Sequence, residues 1–349
     1  MIKASFKKYT LQFKTPSGTS RGILKTKDSY FLILKDSGKF GIGECGIFRG
    51  LSIDDRPDYE DKLALVCDNV QKGEQELYRV LEEFPSIQIG VETAFRSLKA
   101  KDPFHIYPSK FTNGKSAIPI NGLVWMGEAS FMKSQISEKL KQGFTCIKMK
   151  IGAIDFKSEL DLLKSIRKEF SVTDIELRVD ANGAFSSSEA LEKLKYLSDL
   201  DIHSIEQPIK QGQWQEMARL CEDTPLPIAL DEELIGVFSE EKKKKLIETI
   251  QPQYIILKPS LIGGFQGSDS WISLSEKMGI GWWITSALES NIGLNAIAQY
   301  AFSKNSLLPQ GLGTGSLFTN NMDSPLEVCK GKLQYNTNLK WNLKNIIIQ

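Results

Sequence analysis

From residue 117 onward the chain repeats one unit: a short apolar run of strand character, a polar or glycine-containing turn, then an amphipathic stretch with helical spacing. The strand-like runs are AIPINGL (117–123), TCIKMKI (145–151), IELRVD (175–180), IHSIE (202–206), LPIALD (226–231), YIILK (254–258), IGWWITS (280–286) and LLPQGLG (307–313). Between them FMKSQISEKLKQ, FKSELDLLKSIRKEF, SSEALEKLKYLSDL and EEKKKKLIETIQ place apolar residues at i, i+3, i+4 and i+7. Strand alternating with helix argues a parallel sheet, and eight strands argue that the sheet closes into a barrel. After the last strand GSLFTNNMDSPLEVCKGKLQYNTNLKWNL carries turn and strand signals but no eighth helix, so the expected barrel is (β/α)7β.

Residues 1–110 read differently. Strand-like alternation in YTLQFKT and YFLILKDSGKFGIGEC is followed by helical patterns in YEDKLALVCDNV and ELYRVLEEF, which argues a separate N-terminal α+β domain. The predicted class is thus α/β: a modified TIM barrel over 111–320, an α+β capping domain over 1–110, and a segment over 321–349 that returns to the cap. The stretch TPSGTSRG (15–22) is polar and glycine-containing, the composition of a mobile flap.

Bulk composition excludes several functions. Lys+Arg number 44 against Asp+Glu 43, a balance with no electrostatic footprint for nucleic acid or an anionic membrane, so the expected partner is a small molecule. The beginning MIKASFKKYT has no apolar core of a secretory signal and no run is long enough to span a bilayer, so a cytoplasmic location is expected. Five cysteines without a CxxC pair suit neither a disulfide frame nor a zinc site and read as reduced core residues. Two histidines, His105 and His203, leave few candidates for histidine chemistry. The lysine run 242–245 reads as a solvated helix face, and Trp282 and Trp283 as barrel packing. A homo-oligomer is compatible with all of this.

The charged residues that close the strands carry the functional argument. The second strand holds Lys148 and Lys150; the third ends at Asp180, the fourth at Glu206, the fifth at Asp231 and the sixth at Lys258, in steps of 26, 25 and 27 residues. Steps of one βα unit put all of them at the C-terminal face, where barrels of this kind build active sites. Alone, Lys148 and Lys150 at period two would suit a solvated edge strand, and any one acid would suit a loop salt bridge. Three carboxylates in register need compensation, and an all-oxygen set calls for Mg²⁺, with Mn²⁺ as a substitute. Asp180, Glu206 and Asp231 are the expected ligands, Asp231 being chosen over Glu232 and Glu233 because it ends the strand pattern. An enzyme that removes a proton beside a carboxylate can use such a cation against the enediolate charge and a neutral lysine as base. Repulsion within the Lys148/Lys150 pair is expected to lower the base's pKa.

The motifs CIKMKIG, LRVDANGAF, SIEQPI, ALDEEL, ILKPSLIGG and TSALESNIGL, with GIGECG and IQIGVETAFRSL upstream, resemble the enolase superfamily in its muconate-lactonizing subgroup. That resemblance implies Lys150 as base, Lys148 as its companion and Lys258 on the opposite face. Neither histidine suits a His–Asp base, and GLGTG (311–315) lacks the Asp-x-Asp of dipeptide epimerases. Arg178, Asp180 and Asn182, with Ser286 and Ser290, resemble the o-succinylbenzoate synthase family. This implies a Mg²⁺-dependent syn dehydration of a cyclohexadiene carboxylate, SHCHC, in menaquinone synthesis, making the protein a lyase. Arg178, Asn182, Ser286, Ser290, Gly311 and, from the flap, Arg21 would then hold the substrate. An N-succinylamino acid racemase, using Lys150 and Lys258 as opposed bases, is the nearest alternative, followed by a cycloisomerase.

Overall fold

The computed structural model describes residues 1–19, 22–344 and 346, and of Ser17, Gly18 and Thr19 only the backbone. Three antiparallel strands open the chain: β1 (Lys3–Thr19), β2 (Gly22–Asp36) and β3 (Lys39–Cys45). Three helices come next: α1 (Tyr59–Asp68), α2 (Glu74–Arg79) and α3 (Pro85–Lys99). The long strands β1 and β2 take in most of the stretch read as a flap. Residues 17–19 rejoin the ladder, with Ser17 opposite Leu24 and Thr19 opposite Gly22, after a register shift between Gln12 and Ser17.

The barrel begins after a short detour. β4 (Ala117–Pro119), read from sequence as one strand with residues 120–123, leaves for a small separate sheet. The barrel proper alternates β5 (Gly122–Val124), α4 (Ala129–Lys141), β6 (Cys146–Lys150), α5 (Phe156–Glu169), β7 (Glu176–Asp180), α6 (Ser187–Ser198) and β8 (Ser204–Glu206). It continues with α7 (Trp214–Asp223), β9 (Ile228–Leu230), α8 (Glu240–Ile250), β10 (Tyr254–Leu257), α9 (Gly264–Lys277), β11 (Gly281–Ile284) and α10 (Asn291–Ser303). Strands β5 to β11 pair in chain order and in parallel, each followed by a helix, which gives the seven βα units expected. The run 307–313 supplies the closing strand in reduced form. Gln310 bridges to Ile120 and Gly311 to Thr285, joining the two edges of the curled sheet.

Inward and outward residues alternate as the pleat requires, and one large core lies between the strands and the helix ring. A second core fills the cap between its sheet and helices. Gly41 and Gly43 let β3 lie directly on α3, where side chains would meet the backbone of Gly90 and Ala94. β12 (Leu326–Cys329) pairs with β13 (Lys332–Tyr335), which pairs with β4, and beyond them Trp341 stacks on Phe104 at 4.4 Å. Met322 and Ile346 pack against Phe31, Ile33 and Ile42 of the cap sheet.

Cap and barrel are joined by polar contacts as well. Glu92 of α3 accepts hydrogen bonds from the Phe265 and Gln266 amides at 2.6 and 3.0 Å, capping α9 from outside its own chain segment. Two readings of the sequence change. Within the lysine run Lys243 is buried, bonded to Ser270 at 2.7 Å and lying over Trp271, while Lys242, Lys244 and Lys245 are exposed. Of the five thiols Cys45, Cys146 and Cys221 are buried, but Cys67 is half-buried and Cys329 exposed. Trp282 and Trp283 are buried in the barrel as expected.

Candidate active site

Parallel register aligns the strand ends. Lys150 of β6 pairs with Asp180 of β7, and Asp180 pairs with Glu206 of β8, so neighbouring strands finish level with one another. Asp231 and Lys258 directly follow β9 and β10. All six charged side chains therefore meet at the C-terminal mouth, beside a cavity of about 370 Å³. Lys14, Thr15 and Pro16 of β1 rim the same cavity from the cap.

The three lysines stand among the carboxylates. Lys148 reaches Asp180 at 2.9 Å and also contacts Glu206; Lys150 reaches Asp180 at 2.9 Å; Lys258 contacts Asp231 and lies 3.5 Å from Glu206. Burial penalises the Asp180 charge, but Lys148, Lys150 and Lys258 outweigh it and hold the carboxyl well below its usual range. Burial likewise opposes the charge on Lys148 and Lys258, and the carboxylates win: Asp180 and Glu206 raise Lys148, while Asp231 and Glu206 raise Lys258. Burial, with Glu232 and Glu206 nearby, pushes Asp231 up against Lys258. The direct ion pair is the closer effect, and we take Asp231 and Lys258 as carboxylate and ammonium.

Asn182, at a left-handed φ of 44°, joins the group from the loop after β7. Its Oδ1 accepts from Lys150 Nζ at 2.6 Å and its Nδ2 donates to Glu232 at 3.0 Å. Glu233 turns away, accepting from Gln207 and the Gly212 amide. Among the acids after β9, Asp231 thus meets Lys258, Glu232 lines the cavity through its link to Asn182, and Glu233 supports the loop.

Whether this set suits a divalent cation can be judged from its chemistry. Four carboxylates, Asp180, Glu206, Asp231 and Glu232, are each 3% exposed or less, and Glu206 Oε1 is buried with no hydrogen-bond partner among the described residues. An all-oxygen donor set with surplus acceptor capacity fits a hard ion such as Mg²⁺. With lysine ammonium groups between them, the side chains do not converge as a group of three ligands among the described residues.

The remaining sequence candidates divide. Asn182, Ser286 and Gly311 line the cavity. Arg178 does not; it lies deeper in the barrel, 1% exposed, over the Trp283 ring at 4.3 Å and bonded to Glu176 and the Pro309 carbonyl. Arg178 sits two residues before Asp180 on the same inward face, level with Lys148, but its guanidinium is drawn away to Glu176 and the Pro309 carbonyl. Ser290 is the N-cap of α10, its hydroxyl accepting from Ile292 N and bonded to Glu44, so it too is absent from the lining. Arg21 lies outside the described residues. Sequence reasoning set Glu232 aside in favour of Asp231, and missed Thr314 and the buried carboxylates Glu44 and Glu289. The last two stood inside the quoted motifs GIGECG and TSALESNIGL, where an acid amid apolar and small residues was their signal.

Comparison with known proteins agrees with this architecture. The family model described as "Enolase C-terminal domain-like" matches residues 132–338. The o-succinylbenzoate synthase of Desulfotalea psychrophila is 45% identical, over 95% of this chain and 98% of that protein. The chain belongs to the enolase superfamily. Among solved structures of that superfamily, MenC from Desulfotalea psychrophila superposes with a TM-score of 0.85 at 41% identity, covering 95% of this chain and 99% of that one. A dipeptide epimerase from Enterococcus faecalis, solved with Mg and the dipeptide L-Leu-L-Tyr, shares the fold at a TM-score of 0.83, with 19% identity and 95% and 96% of the two chains covered. The protein is thus an enzyme of the enolase superfamily with the muconate-lactonizing type of barrel and cap.

Proposed function

We propose that the protein is an o-succinylbenzoate synthase, a cytoplasmic, Mg²⁺-dependent lyase of menaquinone synthesis that removes water from SHCHC. The observation that carries the reading is the pair Lys150 and Lys258, lining one cavity from β6 and β10 with the carboxylates of β7, β8 and β9 between them. The 45% identity to the Desulfotalea psychrophila enzyme, along nearly its whole length, supports this reaction.

Asp180, Glu206 and Asp231 would hold the cation, which supplies positive charge beside the substrate carboxylate. Lys150, as the free amine, takes the α-proton. Asn182, 2.6 Å from its Nζ, holds that nitrogen at the mouth. The Lys148 and Lys258 ammonium groups, kept charged by their acids, face the negative charge that develops on the carboxylate oxygens. The electron pair then forms the ring double bond as the carbon–oxygen bond to the β-hydroxyl breaks. Lys150 returns its proton to the departing hydroxide, giving water and the aromatic product. Ser286 and Gly311 border the substrate space, and Arg21 remains a candidate for its second carboxylate.

The test is ultraviolet-monitored conversion of SHCHC by the purified protein with Mg²⁺, repeated with EDTA. Rapid turnover that EDTA abolishes is expected. No turnover with SHCHC would overturn the synthase reading and direct the assay to racemisation of N-succinyl amino acids.

A further inference from the structure

Where the cap meets the barrel mouth three charged side chains are buried together, and none of them takes part in the chemistry above. Lys27 of β2, Glu44 of β3 and Glu289 after β11 are 7%, 2% and 1% exposed. Two glycines leave the space they share: a side chain on Gly46 would stand 3.1 Å from Glu289 Cγ and 3.6 Å from Lys27 Nζ, and one on Gly293 would meet Glu44 and Glu289 at 2.9 Å. Among the described residues the Lys27 ammonium has one hydrogen bond, a long one of 3.4 Å to Ser29, whose hydroxyl donates to Glu44 at 2.6 Å. Glu44 in turn accepts the Ser290 and Gly293 amides at the start of α10.

Glu289 faces the other way, toward the cavity. It accepts from Ser260 Oγ at 2.6 Å and Ser286 Oγ at 2.5 Å, and Ser286 accepts from Thr314 Oγ1 at 2.9 Å. Ser286 and Thr314 both line the cavity. A carboxylate can only accept and a hydroxyl has one proton to give. With Glu289 ionised, the protons of Ser286 and Thr314 both point inward, and Thr314 turns only lone pairs to the cavity. A neutral Glu289 could donate instead and let the chain run backwards. Burial raises the Glu289 carboxyl, with Lys27 the foremost influence opposing it, ahead of Ser260 and Ser286; burial likewise lowers Lys27, with Glu44 and Glu289 opposing it.

We propose that Lys27 is a positioning residue: its ammonium faces the Glu289 carboxylate across the space beside Gly46 and so fixes the direction of the Thr314–Ser286–Glu289 chain, making the wall at Thr314 an acceptor for the substrate's hydroxyl hydrogen. This deepens the dehydration reading and rests on it. The hydroxyl is the group that the reaction removes, so the wall favours substrate over product. Lys27 touches no reacting atom and acts through Glu289.

The experiment compares wild type with Lys27→Met, Lys27→Arg and Thr314→Val as full chains with Mg²⁺. It measures kcat and KM for SHCHC, the inhibition constant of o-succinylbenzoate, and Mn²⁺ affinity. Loss of one hydrogen bond to the substrate predicts a KM increase of roughly tenfold in Lys27→Met and Thr314→Val. Product inhibition and Mn²⁺ affinity should stay unchanged, and Lys27→Arg should restore most of the loss. A purely structural role would move substrate, product and metal affinities together. Folded Lys27→Met with wild-type KM, or parallel loss of all three affinities, overturns the proposal; if Lys27→Met does not fold, Thr314→Val and Lys27→Arg decide it in the same way. Wild type inactive on SHCHC overturns the synthase reading instead. The hydroxyl chain is then judged by amide exchange: Leu288 and Glu289, whose amides donate to Ser286 Oγ, should exchange several-fold faster in Lys27→Met. Unchanged exchange refutes it.

Discussion

Lys150 ends β6 half-buried at the mouth and contributes little packing, so the reading of it as base separates activity from stability. Lys150→Ala should lose at least roughly a thousandfold in kcat, about 4 kcal/mol of barrier, while its melting temperature stays within a few degrees of wild type. A variant retaining wild-type kcat would remove Lys150 from the mechanism. Asp180→Asn tests the cation site. Its carboxylate balances Lys148 and Lys150, and the amide cannot, so Mn²⁺ affinity followed by electron paramagnetic resonance should fall at least tenfold. An unchanged titration would show that Asp180 is not a ligand. At this scale the sequence was informative because strand register is periodic: equal spacing of Asp180, Glu206, Asp231 and Lys258 was enough to bring them together. It could not show that Arg178, level with Lys148, turns its guanidinium to Glu176 and the Pro309 carbonyl instead of to the cavity.

Element contacts decide how α9 is held. Its first amides are capped by Glu92 from α3, a carboxyl that burial raises to about 7, against the opposing pull of the Phe265 and Gln266 amides. A folded-state value above the unfolded one means that the native protein holds the proton more tightly. The stability this contributes is full below about pH 4.5 and is lost as the pH rises through about 7. The full effect is of order 3 kcal/mol. Urea denaturation between pH 4.5 and 7.5 should show stability falling with pH, with a shallower fall in Glu92→Gln, whose side chain does not titrate. Identical slopes in the two proteins would rule out this titration. Such a cap has no local sequence signature, because acceptor and donors lie more than 170 residues apart.

For the whole molecule, cap and barrel share too much to unfold apart. Glu92 caps α9, Glu44 caps α10, and the C-terminal residues Met322 and Ile346 pack on the cap sheet. Calorimetry should therefore give one transition; two resolved transitions would show that the cap melts by itself. Saturating Mg²⁺ should raise that transition, since a ligand at a hundred times its Kd adds about 2.7 kcal/mol to the folded state. EDTA should reverse the shift. No helix among the described residues is long and apolar enough to cross a membrane.

Sequence alone determined what depends on periodicity: the alternation of strand and helix, the count of seven βα units, and the line of acids and lysines at one end of the barrel. Each comes from spacing along a single strand or unit. Tertiary structure decided what depends on which distant groups meet. It closed the barrel through Gln310 and Gly311, set Ser290 to cap a helix, and turned Glu232 toward Asn182. It also buried Lys27 near Glu44 and Glu289, two carboxylates far apart in the sequence. A charge's energy depends on burial and neighbours rather than on its place in the sequence, so these contacts exist only once the cap has closed over the mouth.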